Sequence, residues 1–328
     1  MSTMREVAAR AGVSAKTVSR VLRDEGYVSA EARRRVLAAV SELDYVPNQL
    51  AVTFRAGRDA AIGIAVPDIA DPFFAEIIQA VESIARQRHR AVIVTSLGYD
   101  GEHEQAAVEA LLQRQLLGLI ACPVAADQSY LKPWLQRTPV VFVDRAPGQL
   151  TADSVIEDDA GGAYAATRHL LEHGHRRIAF FGDPPSVSTS AKRLAGYLQA
   201  LADHDIRRDD GLIKVGTVNA VTARTALADV MGLALPPTAI FSSNARCTLR
   251  LMPALHASKA SVSIISFGDF PLADSLTPSI TVIDQDPAAL GRFAAERLFV
   301  RITDPTKRLR RRTVLPLTLI ERGSCYRA

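Results

Sequence analysis

Cysteine is scarce in this chain of 328 residues: Cys122, Cys247 and Cys325 are three, far apart, with no CxxC pair and no metal-ligand spacing. A disulfide framework and a cysteine metal site are therefore not expected, and a reducing compartment suits the thiols. No apolar run approaches the roughly 20 residues of a membrane-spanning helix, and residues 1–10 lack the apolar stretch of a secretory leader. A soluble, cytoplasmic protein with no membrane partner is expected. Aromatic residues make up only 6%, with one tryptophan, against 48% hydrophobic residues overall, an ordinary composition for two or three domains with their own cores. The first β-rich run is not followed by GxGxxG, and GxxxxGK[ST], HExxH and GxSxG are absent as well. Phosphate-cradling, metalloprotease and hydrolase chemistry lose their strongest sequence support, and no cofactor, metal or catalytic residue is expected.

What charge there is lies unevenly. Residues 1–58 carry ten Lys/Arg and six Asp/Glu, whereas residues 59–328 carry 29 of each, so the whole excess of +4 belongs to the N-terminal segment. A basic module on a neutral body is the electrostatic footprint of a nucleic-acid reader joined to a partner domain that does not bind nucleic acid.

Within that segment Val7, Ala8, Ala11, Val13, Val18, Val21 and Leu22 fall at helical spacing on either side of Gly12-Val13-Ser14, which predicts two short helices joined by a tight turn. Gly12 can take the left-handed conformation of the turn and Ser14 can cap the second helix. Lys16, Ser19, Arg20 and Arg23 then lie opposite the apolar stripe of that helix. Ser29 caps a third helix over 30–43, with Val36, Leu37, Val40 and Leu43 expected inside and Arg33, Arg34 and Arg35 outside. Pro47 ends the helical pattern, and 48–58 read as a linker that orders on contact with something else. Phe54 is out of place in a free linker.

From Ala60 the texture changes. Apolar runs at 62–66, 91–95, 118–122, 140–143, 178–181, 239–241 and 262–267 alternate with helical segments at 73–86, 104–114, 161–173, 190–202, 222–231 and 245–257. Continuous apolar strands between amphipathic helices predict doubly wound α/β lobes with parallel sheets, and the length suffices for two.

These residues resemble the LacI family of transcriptional regulators, the lactose and purine repressor type, almost from end to end. The resemblance rests on Thr3-Met4-Arg5-Glu6-Val7-Ala8, Ala11-Gly12-Val13-Ser14, Thr17-Val18-Ser19-Arg20-Val21-Leu22, Gly26-Tyr27-Val28-Ser29 and Tyr45-Val46-Pro47-Asn48. In the body it continues through Ile62-Gly63, Val66-Pro67-Asp68, Asp71-Pro72-Phe73-Phe74-Ala75-Glu76, 140–145, 174–179, Arg193-Leu194-Ala195-Gly196-Tyr197 and Ser266-Phe267-Gly268-Asp269. It implies an α/β protein with a helix-turn-helix headpiece at 1–46, a hinge helix or linker at 47–59, and a two-lobed body like a periplasmic binding protein at 60–328. The N-lobe would comprise about 60–157 and 286–315, and the C-lobe about 158–285 and 316–328, with crossings near Glu157, Gln285 and Leu315.

By resemblance, Ala15 and Lys16 at the start of the second helix, with Arg20 a turn on, choose base pairs in the major groove. Lys16 and Arg20 suit the O6 and N7 acceptors of guanine, and Ala15 suits a thymine methyl. Thr3, Arg5, Thr17, Ser19 and Asn48 look like phosphate contacts that set register. In a dimer, Ala51 and Phe54 match the small residue and the wedging leucine of a hinge helix that enters the minor groove. The larger phenyl ring departs from the usual leucine. Alternatively, Phe54 anchors the linker on the body.

The same resemblance places an effector between the lobes, against Phe73 and Phe74 as an aromatic wall, with Asp144, Arg193, Asn244, Asp269 and Gln285 as polar partners. Carboxylate, Arg and amide against an aromatic face suit a sugar-like ligand, because each hydroxyl both donates and accepts. Two departures stand out: Asn244-Ala245 where the family has Asn-Asp, and Phe267-Gly268-Asp269 where it has Phe-Asp-Asp. They leave open a less hydroxylated effector, an anionic one held by Arg193, or none, which would give a constitutive DNA binder. The implied function is a homodimeric repressor that binds a palindromic operator under metabolite control. A solute-binding protein would need a secretory leader and an enzyme a nucleophile or acid/base set, and neither is visible. The charge run 307–312 reads as a solvated edge, and the lack of a leucine heptad after Ile320 argues against a tetramerising helix.

Overall fold

The computed structural model describes residues 3–23, 26–45, 61–216, 219–258 and 261–328. It divides into two compact units, 1–59 and 60–328. In the first, α1 (Met4–Ala11), α2 (Ala15–Arg23) and α3 (Ala30–Glu42) enclose a small core of Val7, Ala8, Ala11, Val18, Val21, Val36 and Ala39, with Val13, Leu22, Val40 and Leu43 packed against it. Gly12 closes α1 in the left-handed region (φ 63°, ψ 40°), and the Ser14 hydroxyl accepts from the Thr17 amide at 3.1 Å. Leu37 does not join this core: it is 51% exposed. On α3 the inward stripe runs 36, 39, 40 and 43, so a side chain at 37, one residue on from Val36, is turned about 100° away.

The second unit is built on two six-stranded sheets. The N-lobe sheet has the order β11-β5-β4-β3-β1-β2, formed by β1 (Ile62–Val66), β2 (Val92–Ser96), β3 (Gly118–Ala121), β4 (Val140–Asp144), β5 (Asp153–Glu157) and β11 (Arg312–Leu315), all parallel. The C-lobe sheet has the order β12-β10-β9-β8-β6-β7, from β6 (Ile178–Gly182), β7 (Ile213–Val215), β8 (Ala239–Ser242), β9 (Ser263–Phe267), β10 (Thr281–Asp284) and β12 (Thr318–Ile320). Here β12 runs antiparallel to β10 and the other pairs are parallel. Strands such as β1, β4, β6 and β9 are buried along their whole length, as required of a sheet covered on both faces.

Helices α4 (Pro72–Gln87), α5 (Glu104–Leu112) and α10 (Pro287–Thr303) pack on the first sheet, and α6 (Asp159–Glu172), α7 (Ser188–Asp203), α8 (Ala220–Met231) and α9 (Ala245–Ser258) on the second. The chain passes between sheets after Glu157, after Asp284 and after Leu315. Strands β5, β7, β10, β11 and β12 and helix α10 lie outside the runs read from the sequence. For α10 a signal was present, because Asp286 caps the helix through the Ala289 amide and Pro287 takes its first position. No helix among the described residues is long and apolar enough to cross a membrane.

Candidate functional site

On the headpiece, α2 buries Val18 and Val21 and leaves Ala15, Lys16 and Arg20 exposed, with Thr17 and Ser19 half-buried. Arg5 is exposed on α1. Thr3 caps that helix: its hydroxyl accepts from the Glu6 amide at 3.3 Å while the Glu6 carboxylate accepts from the Thr3 amide at 2.7 Å. Its hydroxyl proton stays available for donation. A bond from Arg10 Nε to Glu42 at 3.0 Å ties α1 to α3. Asn48, Ala51 and Phe54 lie outside the described residues.

The body holds a cleft of about 460 Å³ between the two sheets, at the carboxyl ends of the strands. Open α/β sheets bind ligands at such ends. Phe73, Phe74, Asp144, Arg193, Asn244, Asp269 and Gln285 all border it. The two phenyl rings meet edge to face at 5.1 Å, but Phe74 belongs to the N-lobe core and only Phe73 is partly exposed. The wall expected from two rings is thus mainly the Phe73 ring, held in place by Phe74.

Asp144 ends β4 with φ at 65°, and the Arg145 amide donates across it to the Val143 carbonyl at 2.7 Å. An i to i+2 bond around a positive φ marks a strained γ-turn, of the kind stored at binding sites. The turn places the buried guanidinium of Arg145 beside the Asp144 carboxylate, with Nε 3.2 Å from Oδ2.

Arg193, buried on α7, is held on three sides. It donates from Nε to Asp159 at 2.8 Å and from Nη1 to the Ser243 carbonyl at 2.8 Å, and its guanidinium carbon lies 3.8 Å from the centre of the Phe267 ring. Asn244 donates to Asp183 at 3.1 Å and accepts from the Cys247 amide, so it also caps the start of α9. Asp269 takes a two-pronged bond from Arg322, at 2.9 and 2.5 Å. Burial raises the Asp269 carboxyl, but the bonds from Arg322 and from the Phe270 amide outweigh it and hold it below the usual carboxylate range.

Gln285 donates to buried Glu157, joining two of the crossings. Glu157 is pushed up to about 8, chiefly by burial and further by Asp144 and Asp159, against the bond from Gln285. Gly268, with φ at 88°, sits where a Cβ would come within 2.9 Å of the Gln285 Oε1. The amide therefore occupies space beside the position where the family carries an aspartate.

Among the cleft residues that escaped the sequence reading are Arg145, Asp183, Arg246 and Tyr99. Arg246 bonds to Asp183 at 2.7 Å, and its guanidinium carbon lies 3.7 Å from the ring centre of Tyr99, which follows β2 in the other lobe. The Tyr99 hydroxyl in turn donates to Asp71 at 3.3 Å. Arg246 Nε, Arg246 Nη1 and Ser243 Oγ are buried and have no hydrogen-bond partner among the described residues, whereas Arg145 Nε is ion-paired with Asp144. Arg145 directly follows the Asp144 that the resemblance singled out. The meaning of Arg246 depends on a tyrosine brought from another lobe, which no local pattern announces.

Residues 3–48 match the model of bacterial regulatory proteins of the lacI family, and residues 167–325 match a periplasmic binding protein-like domain. The chain is 31% identical over 301 residues to the HTH-type transcriptional regulator GalS of Salmonella typhimurium, covering 90% of this chain and 88% of that protein. It is 30% identical to the ribose operon repressor of Escherichia coli, over 99% of this chain and all of the relative. Among solved structures, the lac repressor dimer bound to operator and the anti-inducer ONPF superposes with a TM-score of 0.85 at 28% identity, covering 99% of both chains. A complex of the transcriptional regulator CelR with cellobiose gives 0.71 at 28% identity, over 99% of this chain and all of that one.

Proposed function

The chain belongs to the LacI family of bacterial regulatory proteins, and from that premise we propose that it is a homodimeric repressor whose grip on a palindromic operator is set by a sugar-like metabolite held between its two lobes. Each headpiece lays α2 in the major groove. Lys16 and Arg20 donate to guanine edges, Ala15 meets a thymine methyl, and Thr3, Arg5, Thr17, Ser19 and Asn48 hold phosphates. Ala51 and Phe54 of the paired hinge segments open the minor groove at the centre of the site. Two-fold symmetry of the protein then requires two-fold symmetry of the operator.

The observation that carries the effector reading is the pair of buried Arg246 donors, Nε and Nη1, with no hydrogen-bond partner among the described residues, beside the Arg145 guanidinium in a cleft that also offers Asp, Asn and an aromatic face. Buried donors are left unbonded at a cost of about 1–3 kcal/mol each, which a ligand rich in acceptor oxygens recovers. Hydroxyls can accept from these arginines and donate to Asp144 or Asp183, whereas an apolar ligand would leave both sets unmatched. The effector acts by favouring one arrangement of the lobes, and only as far as its affinity differs between arrangements.

Two measurements test this. Selection of bound duplexes from a random pool should recover a palindrome, and recovery of unrelated sequences would reject the DNA reading. Thermal unfolding of the full chain across a panel of sugars, nucleobases and organic acids should show a shift with a polyhydroxylated compound. A shift with an organic acid alone, or with nothing, would reject a sugar-like effector.

A further inference from the structure

The sequence reading expects no metal site, yet the fold brings together three residues that resemble one, away from the cleft. His169 and His173 are four apart at the carboxyl end of α6, and Glu321 directly follows β12. One ligand atom from each lies within 4.8 Å of the other two, and the imidazole rings are 4.3 Å apart. Asp159, which meets Arg193 in the cleft, is ten residues back on the same helix, about 15 Å away.

Three features set this group apart from a chance encounter. His169 is 6% exposed, and its Nε2 is buried with no hydrogen-bond partner, an orphan that a metal would satisfy. The His173 Nδ1 lies 2.8 Å from the His169 carbonyl oxygen, which can only accept, so Nδ1 carries the proton and Nε2 presents its lone pair. Ligating histidines are commonly oriented in this way by a bond from the other ring nitrogen. Finally, the His173 Nε2 is 3.8 Å from a Glu321 oxygen, and that side chain is 62% exposed. A tetrahedral ion with ligands at about 2.0–2.1 Å spaces them about 3.3 Å apart, so separations of up to 4.8 Å close by movements of no more than about 1.5 Å.

We propose that His169 Nε2, His173 Nε2 and the Glu321 carboxylate form a binding site for a divalent transition ion of the zinc class, clipping the end of α6 to the segment that leaves β12. Two imidazoles and one carboxylate select such an ion over magnesium or calcium, which prefer oxygen alone. Water fills the fourth position. The clip also bears on the C-terminal residues, since the Ala328 amide bonds to the His173 carbonyl and the Tyr326 carbonyl lies 2.9 Å from His175 Nε2.

The test is calorimetric titration of the chelator-treated full chain with zinc chloride, with magnesium chloride as a control, and a cobalt(II) absorption spectrum as a signature of tetrahedral coordination. Zinc should bind at one ion per chain and raise the unfolding temperature. The partly exposed variants His173→Ala and Glu321→Ala, which avoid emptying the buried His169 position, should each weaken binding more than about tenfold and remove the cobalt spectrum. Absence of saturable zinc binding, or equal binding by the wild type and both variants, would overturn the site. The second result would assign the ion to other ligands.

Discussion

The guanidinium of Arg246 lies over the ring of Tyr99, 3.7 Å from its centre, and joins the start of α9 in the C-lobe to the end of β2 in the N-lobe. Together with the Arg246 bond to Asp183 and the Tyr99 bond to Asp71, it forms a chain of polar contacts across the cleft. A cation over an aromatic face contributes about 0.5–2 kcal/mol, depending on how dry it is. Tyr99→Phe keeps the face and loses only the hydroxyl, whereas Tyr99→Ala loses both. We expect Tyr99→Phe to bind the effector nearly as the parent does and Tyr99→Ala to bind it several-fold more weakly, by calorimetric titration. Equal weakening in both variants would assign the effect to the hydroxyl.

Glu157 gives the body a dependence on pH. Its carboxyl is raised from 4.5 to about 8 in the folded chain, so between those values the folded state holds a proton that the unfolded chain has lost. Stability then falls as pH rises from about 4.5 to about 8, and flattens above. Glu157→Gln is neutral throughout and can still accept from Gln285. It should match the parent near pH 5 and exceed it near pH 9, as read from denaturant midpoints of the full chain. A parallel loss with pH in both proteins would remove Glu157 as the cause.

Local structure and the general place of the cleft were legible in the sequence, because both rest on short-range signals. The run 62–66 became β1 residue for residue, and the Gly12 turn took the left-handed form that its residue type permits. Leu37 misled because an apolar residue beside the helical stripe looks like part of it. Strand β5 was hidden by its charged ends, Asp153 and Glu157, both buried in the fold. Asp153 is matched by Arg301 at 2.6 Å, a partner from α10 that no local pattern reveals. The pairing of Arg246 with Tyr99 was likewise beyond reach, since its parts come from different lobes.

The headpiece assignments separate by salt and by sequence. Lys16→Ala and Arg20→Ala should each cost about 1–3 kcal/mol on the selected operator and relax the preference at one base position. Arg5→Ala should weaken all duplexes alike and lower the slope of log affinity against log salt by about one. Binding measured across a salt series on the operator and on single-base variants distinguishes the two classes. If Lys16→Ala weakened every duplex equally, Lys16 would be a phosphate contact.

Gly196 offers a test of how tightly the cleft depends on packing behind it. In α7 it faces α6 so closely that a Cβ would lie 2.1 Å from the Ala160 carbonyl oxygen, a contact with backbone that no rotamer change relieves. The neighbouring Tyr197 is buried and donates to the Ile178 carbonyl at 2.8 Å, so α7 is also fixed against β6 and cannot simply back away. Gly196→Ala should therefore cost about 1–3 kcal/mol, as overpacked interiors do. Because Arg193 and Asp159 bond across this same helix pair, separating the helices also pulls their 2.8 Å contact apart. The variant should lose effector affinity at temperatures where it is still folded, measured by calorimetry well below its unfolding midpoint. Unchanged affinity with lowered stability would show that the Arg193 to Asp159 contact tolerates the displacement of its helices.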